Sequence, residues 1–506
     1  MGCGSSSSTS APGKFVEDPE LAADGTRIRV DKKTGNAMEC DAGKDDDGRE
    51  DDLFEVEEAT GEQFMSIRPW IGQVAEPTEH NEVNNEKPET TYELEYVYGY
   101  RCADSRQNVY WNSQGQAVYM TAALGVILDP SSNTQKFFGG GEVENTAKNV
   151  ANDMNAHTDD VMCVSISPDR NTAVSGQVGS KPTIFTWDAC TGEKKDRMKI
   201  AKGARGIAAV AINGEGWICA VDLHNEHQVY VFDNTGNLCW KQKGDTNKIH
   251  DIAWDGKPGS KRFSTAGVKH CYFWDASSAN GDKKKGLFGS HTQTSFACTA
   301  WDDNGKCYTG GSNGEVYVWG GDDGRSCEKS MDAHKGFICG LRYINGKLWS
   351  GAKDGKVNCW NTNDMTVENS MQFEDPIRAI DVDASGCVIV GLRNGSIMSC
   401  NGGEKKTLMS GHSDGETWGL ARILDGSTIV TSGDDNKVMM WDTTTRKCIK
   451  SMKVTDRKEK SRKGRASTLS RMPDSQCSRA VAANNDFIAV AGNDGAVRIS
   501  TMRLDI

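Results

Sequence analysis

SGAKDGKVNCWN, Ser350 to Asn361, reads as two short strands joined by a tight turn. Asp354-Gly355 supplies turn residues able to take positive φ, and Val357 and Trp360 are strand formers beside it. The pattern recurs as GGSNGEVYVWG (310–320), VGLRNGSIMSCN (390–401), SGDDNKVMMWD (432–442) and AGNDGAVRIST (491–501). Looser copies end at Trp274-Asp275, Phe232-Asp233, Trp187-Asp188 and Leu128-Asp129. Measured at the Trp-equivalent position the copies lie 40 to 45 residues apart, with a gap of 59 at either end. A period of about 40 to 45 residues, four short strands each, is that of propeller blades, because one small sheet cannot bury both faces until neighbours stack on it. The expected fold is all-β, a WD-repeat β-propeller. Nine units predict a single ring of nine four-stranded blades, since seven plus a leftover pair would leave sheet faces uncovered. Eight blades with one irregular unit is the alternative. YELEYVYGY, Tyr92 to Tyr100, belongs to no unit and is expected to complete the last blade and close the ring.

The repeats occupy residues 92–506, so the 506-residue chain divides into a tail, 1–91, a first blade, 92–141, and the remaining blades, 142–506, with an insert at 450–471. No run of about eighteen apolar residues exists to span a bilayer. Seventeen cysteines, none in a C-x-x-C pair, alternate with apolar residues in predicted strands at Cys163, Cys219, Cys298, Cys339 and Cys359. Reduced, buried thiols of a cytoplasmic protein are the expectation. A net charge of −12 argues against nucleic acid as a partner of the whole surface.

The first ten residues, MGCGSSSSTS, fit the acylation pattern M-G-x-x-x-[ST], with Gly2 as acceptor and Ser6 in place. Cys3 beside it is a candidate for palmitate, and two lipids anchor durably where one does not. Between Glu39 and Glu58 eleven acidic residues face only Lys44 and Arg49. So polar a stretch is expected to be a disordered tether, with a docked patch at 64–71. Its Asp45-Asp-Asp-Gly48 is not an EF-hand, because Gly43 and Phe54 would occupy the first and last ligand places.

Tyr98-Gly-Tyr-Arg101, Asn108-Val-Tyr110, Gly115, Val118-Tyr-Met-Thr-Ala-Ala123, Thr134-Gln-Lys-Phe-Phe138 and His157-Thr-Asp-Asp160 resemble the hydrophobic motif that opens the propeller of echinoderm microtubule-associated protein-like (EMAP-like) proteins. Ala173-Val-Ser-Gly-Gln177 is similar to the next blade of that family, in its short form here. Cys102 stands where the motif has glycine, and no basic coiled-coil segment precedes it. The resemblance implies a propeller that binds tubulin and sits on microtubules, often in cilia.

His334, Ser350 and Asp354 precede Trp360, and His412, Ser432 and Asp434 precede Trp441. A catalytic triad would occur once, in an open cleft. Recurrence at the blade period instead predicts a buried network holding each tryptophan indole. Gly176-Gln-Val-Gly-Ser-Lys181 is two residues short of a phosphate loop and runs into Pro182. No metal-ligand spacing stands out, and neither an enzyme activity nor a cofactor is expected.

Two features point to partners. Lys450 to Arg471 carries nine basic residues against Asp456 and Glu459, a reversal of the chain's sign suited to acidic tubulin tails or another acidic surface. Its centre is Lys458, Lys460, Arg462, Lys463 and Arg465, and Ser467 behind them is placed for a basophilic kinase. The second is a top face built from Arg205, Lys248, His250, Phe337, Arg378 and Trp418, at or beside the starts of innermost strands. Joined to the resemblance carried by Tyr98 to Arg101, the basic insert and Gly2-Cys3 imply a microtubule- or tubulin-associated scaffold of a ciliary or cortical cytoskeleton, tied to membrane by its lipids. A membrane-tethered signalling or trafficking scaffold without tubulin is the alternative.

Overall fold

The computed structural model describes residues 92–141 and 155–501 apart from 180, 201–202, 322–323, 424–425, 455–477 and 493–494, together with Glu79, Glu86, Thr90 and three short strands near the amino terminus. Thr78–Arg465 and Arg471–Ile506 form one compact unit. Its described residues build nine antiparallel sheets, eight of four strands and a last one of three.

In blade six, Lys347–Ala352 pairs with Lys356–Asn361, so that Ser350 opposes Asn358 and Gly351 opposes Val357. The loop is one residue longer than the expected two-residue turn. Only Gly355 takes positive φ, at 74°, and its N–H closes on the Ala352 carbonyl at 3.1 Å. The two central strands bury Leu348, Ser350, Val357 and Trp360, whereas the outer strand, Thr366–Gln372, is mostly exposed. Every large apolar side chain so buried contributes about 1.5–3 kcal/mol, which is why these positions repeat while loops and outer strands drift.

The expected single ring of nine is corrected by the packing of the first blade. Along its strands, Val109–Trp111, Ala117–Thr121 and Leu124–Asp129, side chains alternate between two faces. Tyr110, Val118, Met120 and Ile127 pack with Val161, Phe185 and Trp187 of blade two. Val109, Trp111, Ala117, Tyr119, Val126 and Leu128 pack with Ala379, Ile389, Ile397 and Met409 of blade seven. At Gly125 the approach is so close that a Cβ would fall 2.6 Å from the Trp187 ring. With both faces of blade one taken by blades two and seven, the ring closes after seven. Its innermost strands are Val109–Trp111, Val161–Ile166, Ile207–Ile212, Ile249–Trp254, Phe296–Trp301, Ile338–Ile344 and Ile377–Val382.

Blades eight and nine are the leftover pair. Their first strands, Thr417–Arg422 and Ser478–Ala483, pack on one another, with Val430, Val438 and Met440 meeting Ile488 and Val490. Tyr92–Tyr100 does not complete blade nine, whose three strands pair only with each other. Instead the Val97 N–H donates to Gln135 of blade one at 2.7 Å, and the Tyr98 ring lies 4.7 Å from that of Trp441 in blade eight. Tyr96 and Tyr98 fill the seam between blade one and blade eight, a demand that outweighs pairing with a distant edge.

Within the stretch expected to be a disordered tether, Glu20–Leu21, Arg27–Val30 and Ala37–Glu39 form a small antiparallel sheet, with Ile28 opposite Glu39 and Val30 opposite Ala37. Gly2, Cys3, the patch at 64–71, the centre of the basic insert (Lys458 to Arg465) and Ser467 lie outside the described residues.

Candidate functional site

In blades two to nine the innermost strand carries a bulge after its first residue, which places an extra side chain at one end of the strand. His250, Cys339 and Arg378 are such residues in the ring, and Trp418 and Arg479 are their counterparts in the extra pair. Blade one lacks the bulge. In its place the segment before Val109 crosses the ring axis at this end and contacts several blades at once.

The crossing begins at the YGYR motif. Gly99, at φ 120°, turns the chain so that Tyr100 enters the protein, where its hydroxyl donates to Asn108. Asn108, fully buried, donates in turn to the Arg101 carbonyl at 2.7 Å and to Ser105 at 3.2 Å. Arg101 bonds Asp104 and Asp160, both at 2.6 Å. Burial opposes its charge, but the two carboxylates outweigh it and hold the guanidinium above its ordinary value. Cys102, where the motif has glycine, is buried with its Sγ 3.3 Å from the carbonyls of Arg393 and Ser413, and burial raises the thiol to about 11. It is a packing residue, inert as a nucleophile.

From there the loop reaches around the axis. Ser105 donates to the Met162 carbonyl of blade two at 2.8 Å. Gln107 donates through its backbone to Arg378 and through its side chain to Ile380, at 3.0 and 2.8 Å. Arg378 returns a bond to the Ala103 carbonyl at 3.2 Å, and the Arg106 guanidinium lies 5.8 Å from the centre of the Phe337 ring. Residues 103–107 thus plug this end of the ring. Burial and the neighbouring Arg378 push Arg106 down to about 10. Burial, with the charges of Arg106 and Lys248, drives His250 well below its usual range, so it is neutral at physiological pH. Asp251, deep in the wall, is pushed up by burial to about 7.

The proposed top face is therefore divided. Lys248, His250, Phe337 and Arg378 do gather at one end of the ring, but Phe337 and Arg378 are buried beneath the plug and bind it. Arg205 is exposed and bonds the Leu223 carbonyl and Asn225, both at 3.1 Å. Trp418 belongs to the extra pair, where its indole donates to Asp434 at 3.1 Å beneath the Arg479 guanidinium, 4.4 Å above the ring.

The repeated His–Ser–Asp sets are structural. Ser350 accepts from the Trp360 indole at 2.8 Å and lies 2.7 Å from His334, whose other nitrogen is 3.1 Å from Asp354. Burial opposes the Asp354 charge, but the His334 bond and two backbone N–H groups hold its carboxyl down at about 2. Blade two repeats the design with His157, Ser175, Gln177 and Trp187. In blade eight the expected Ser432 and Asp434 are corrected to their neighbours. His412 and the Trp441 indole both meet Thr431, at 2.9 and 2.8 Å, and Asp435 holds the other imidazole nitrogen. The strand phase decides this, because only the residue on the tryptophan's face reaches the indole. Ser350 and the His334 side chain have no exposed surface, so no substrate reaches the pair. Among the described residues no group of histidine, cysteine and carboxylate side chains is arranged to hold a metal ion.

Sequence reasoning missed Asp381 and Arg170, which tie the closure together. Asp381 on blade seven accepts from the Trp111 backbone, from Arg170 of blade two and from Arg342 of blade six. No local motif marks them, because the contact exists only once the ring has closed. The nearest signal is Arg170 itself, a non-glycine residue at φ 63°.

Compared with known proteins, residues 155–382 match the model of the echinoderm microtubule-associated protein first beta-propeller, 87–126 the HELP motif, and 403–442 the WD domain, G-beta repeat. The first two matches fall on the seven-bladed ring and the third ends within blade eight. The chain is 42% identical to the ciliary WD repeat-containing protein ctxp80 of Euplotoides octocarinatus, over 99% of this chain and 72% of that one. It is 30% identical to the 77 kDa echinoderm microtubule-associated protein of Strongylocentrotus purpuratus, over 75% of this chain and 55% of the relative. Echinoderm microtubule-associated protein-like 2 of Rattus norvegicus is 28% identical over 80% of this chain, which spans 63% of its length. Ring, plug and these matches together make the chain a member of the echinoderm microtubule-associated protein-like family of WD-repeat proteins.

Proposed function

We propose that this protein is a non-enzymatic, microtubule-associated propeller scaffold of a ciliary or cortical cytoskeleton, held close to membrane by acylation at Gly2 and Cys3. The observation that carries the reading is the 42% identity, across 99% of the chain, to a protein named as ciliary, beside relatives named for microtubules. The plug supports a scaffold over an enzyme, since residues 103–107 occupy one end of the ring and bond to its wall. The basic insert supplies the contact: Lys458, Lys460, Arg462, Lys463 and Arg465 meet an acidic tubulin surface, and phosphate on Ser467 weakens it.

Cosedimentation of the full chain with taxol-stabilised microtubules tests this. Pelleting that falls when the five basic residues are changed to alanine is expected. A wild type that stays in the supernatant defeats the microtubule reading, and equal pelleting of the variant removes the insert from it. The lipid arm is read separately: Gly2→Ala releases the protein from membranes, whereas a free glycine amine at the native terminus removes the tether. Release from membranes by Gly2→Ala without any microtubule pelleting would instead favour the signalling or trafficking scaffold.

A further inference from the structure

Three histidines, His227, His250 and His270, gather at the plugged end of the ring on blades three and four. In blade four Ile249, Gly267 and His270 form one row across the first three strands, and His250 is the residue bulged out beside it. The row is tight, since a Cβ on Gly267 would stand 2.3 Å from the Lys248 carbonyl and 2.5 Å from Nε2 of His270. His227 comes from the adjoining turn of blade three, its Nδ1 3.1 Å from the Asp245 carbonyl and its own carbonyl accepting from the Gly244 N–H. A Cβ on Gly244 would meet that carbonyl at 2.2 Å and Ile249 at 2.7 Å.

The bonds of the plug described above run to blades two and seven. Toward blade four the plug presents Arg106, and the groups whose charges act on His250 are Arg106, Lys248, His270 and His227. The carboxylates Asp222 and Asp245 act on His227, and Asp245 and Lys283 act on His270. Lys283 lies over the ring of Tyr272, whose hydroxyl donates to Asp245 at 2.7 Å. Arg106 for its part faces Arg378, the Cys298 and Cys339 thiols, and Asp104, whose carboxylate is bonded by Arg101. Asp251, next in the strand, is acted on by Arg342 and Arg106. Burial holds all three imidazoles below their ordinary value, so they are neutral at physiological pH.

We propose that His250, backed by His227 and His270, is an acid-operated release for the plug. A proton on His250 places a further positive charge beside Arg106 and Lys248, with no carboxylate between them to absorb it. Blade four is held in place by its strand ladder, whereas residues 103–107 belong to no sheet, so the plug is the element that yields. Release uncovers Phe337 and Arg378, an aromatic ring and a guanidinium of the kind that anchor a partner. The inference does not depend on microtubule binding.

Hydrogen exchange of the full chain at about pH 7.5 and about pH 5.5, corrected for the intrinsic pH dependence of exchange, provides the test. Protection of residues 103–107 should fall about tenfold, the factor for one histidine whose value returns to about 6.5 when the plug opens. Phe296–Trp301 of blade five should keep its protection, which separates local release from unfolding of the whole ring. His250→Gln should abolish the change at 103–107, and Asp251→Asn should leave it in place. Protection that is the same at both pH values overturns the inference, as does a loss of equal size in every blade. So does a His250→Gln protein that responds as the wild type does, or an Asp251→Asn protein that has lost the response. Should His250→Gln fail to fold, carbon-13 NMR of the wild-type histidines decides. A His250 that titrates in step with faster exchange at 103–107 supports release, and any other course overturns it.

Discussion

Arg170 and Asp381 form an ion pair across the closure of the ring, Nη1 to Oδ2 at 2.6 Å, with no exposed surface on the carboxylate. Blade one is threaded between them. Its Trp111 N–H donates to the same Oδ2 at 2.8 Å, and its Trp111 carbonyl accepts from Arg170 at 2.7 Å. Arg342 of blade six reaches the other oxygen at 3.2 Å. One buried charge therefore ties four blades.

Removing that charge alone should be among the most destabilising single changes in the ring. Asp381→Ala leaves Arg170 and Arg342 without their carboxylate and the Trp111 N–H without an acceptor, a loss of about 3–5 kcal/mol. Replacing both partners, as in Arg170→Met with Asp381→Leu, should cost clearly less than the sum of the two single changes. Urea unfolding of the four proteins checks this; an additive cycle would reduce the clasp to two independent packing contacts.

The His334–Ser350–Trp360 network should behave as a unit. Ser350→Ala removes an acceptor that serves a buried indole and an imidazole together, a loss of about 1–3 kcal/mol. Trp360→Phe adds less in that background than alone, with a coupling of about 0.5–3 kcal/mol. Thermal unfolding of the double-mutant cycle measures it. The parallel cycle in blade eight runs through Thr431, so Thr431→Val should match Ser350→Ala while Ser432→Ala does not.

That one-residue difference shows what was legible in the sequence and what was not. Blade identity is local, since a turn, two strands and a tryptophan lie within twelve residues, and counting them yields nine. The phase of Thr431 against Ser432 depends on which side of a pleat meets Trp441, and Asp434-Asp435 offers two equivalent carboxylates to a reader of the sequence. Closure is less local still. The alternation at Val109 to Trp111 signals that both faces of blade one are buried, but nothing in it distinguishes Ala379 from the last blade as the neighbour. The residues on either side of the plug, Tyr98 to Arg101 and Asn108 to Tyr110, carry the family resemblance, but the plug itself was not legible, because Ser105 and Gln107 do their bonding to carbonyls of blades two and seven, which have no side-chain signature.

Two buried groups should give stability opposite slopes with pH. Burial, partly offset by the Gln177 bond, holds the His157 pKa down at about 4. The unfolded chain then binds more protons, and stability falls as pH drops from about 6.5 to 4, by up to about 1.4 kcal/mol per unit. Asp251, raised by burial to about 7, does the reverse. Between its unfolded value near 4 and about 7 the folded chain holds the extra proton, so stability falls as pH rises. Asn in place of Asp251 still accepts from the Thr299 N–H, 2.8 Å away in the wild type, and removes the second slope. Asp251→Asn should therefore gain stability relative to wild type as pH rises from 4 to 7, leaving exposed the opposite slope of the buried histidines His157 and His250. Denaturation series at several pH values check it; a difference between the two proteins that does not change with pH would refute the assignment to Asp251.

Gly391 provides the sharpest test of closure after seven blades. It lies on the second strand of blade seven, Val388–Leu392, and a Cβ there would stand 2.1 Å from the Tyr100 hydroxyl and 2.6 Å from the ring carbon that bears it. Gly391→Ala must push Tyr100 out of its bond to Asn108 and disturb the loop that plugs the ring. Overpacking of this kind costs about 1–3 kcal/mol. The cost belongs to the pair, since shortening Tyr100 to valine is destabilising in the wild type but makes room for the new methyl. In the Tyr100→Val background Gly391→Ala should then cost little, and this non-additivity requires the motif to lie against blade seven. In a nine-membered ring the two residues would be separated by the extra pair, and the two changes would simply add.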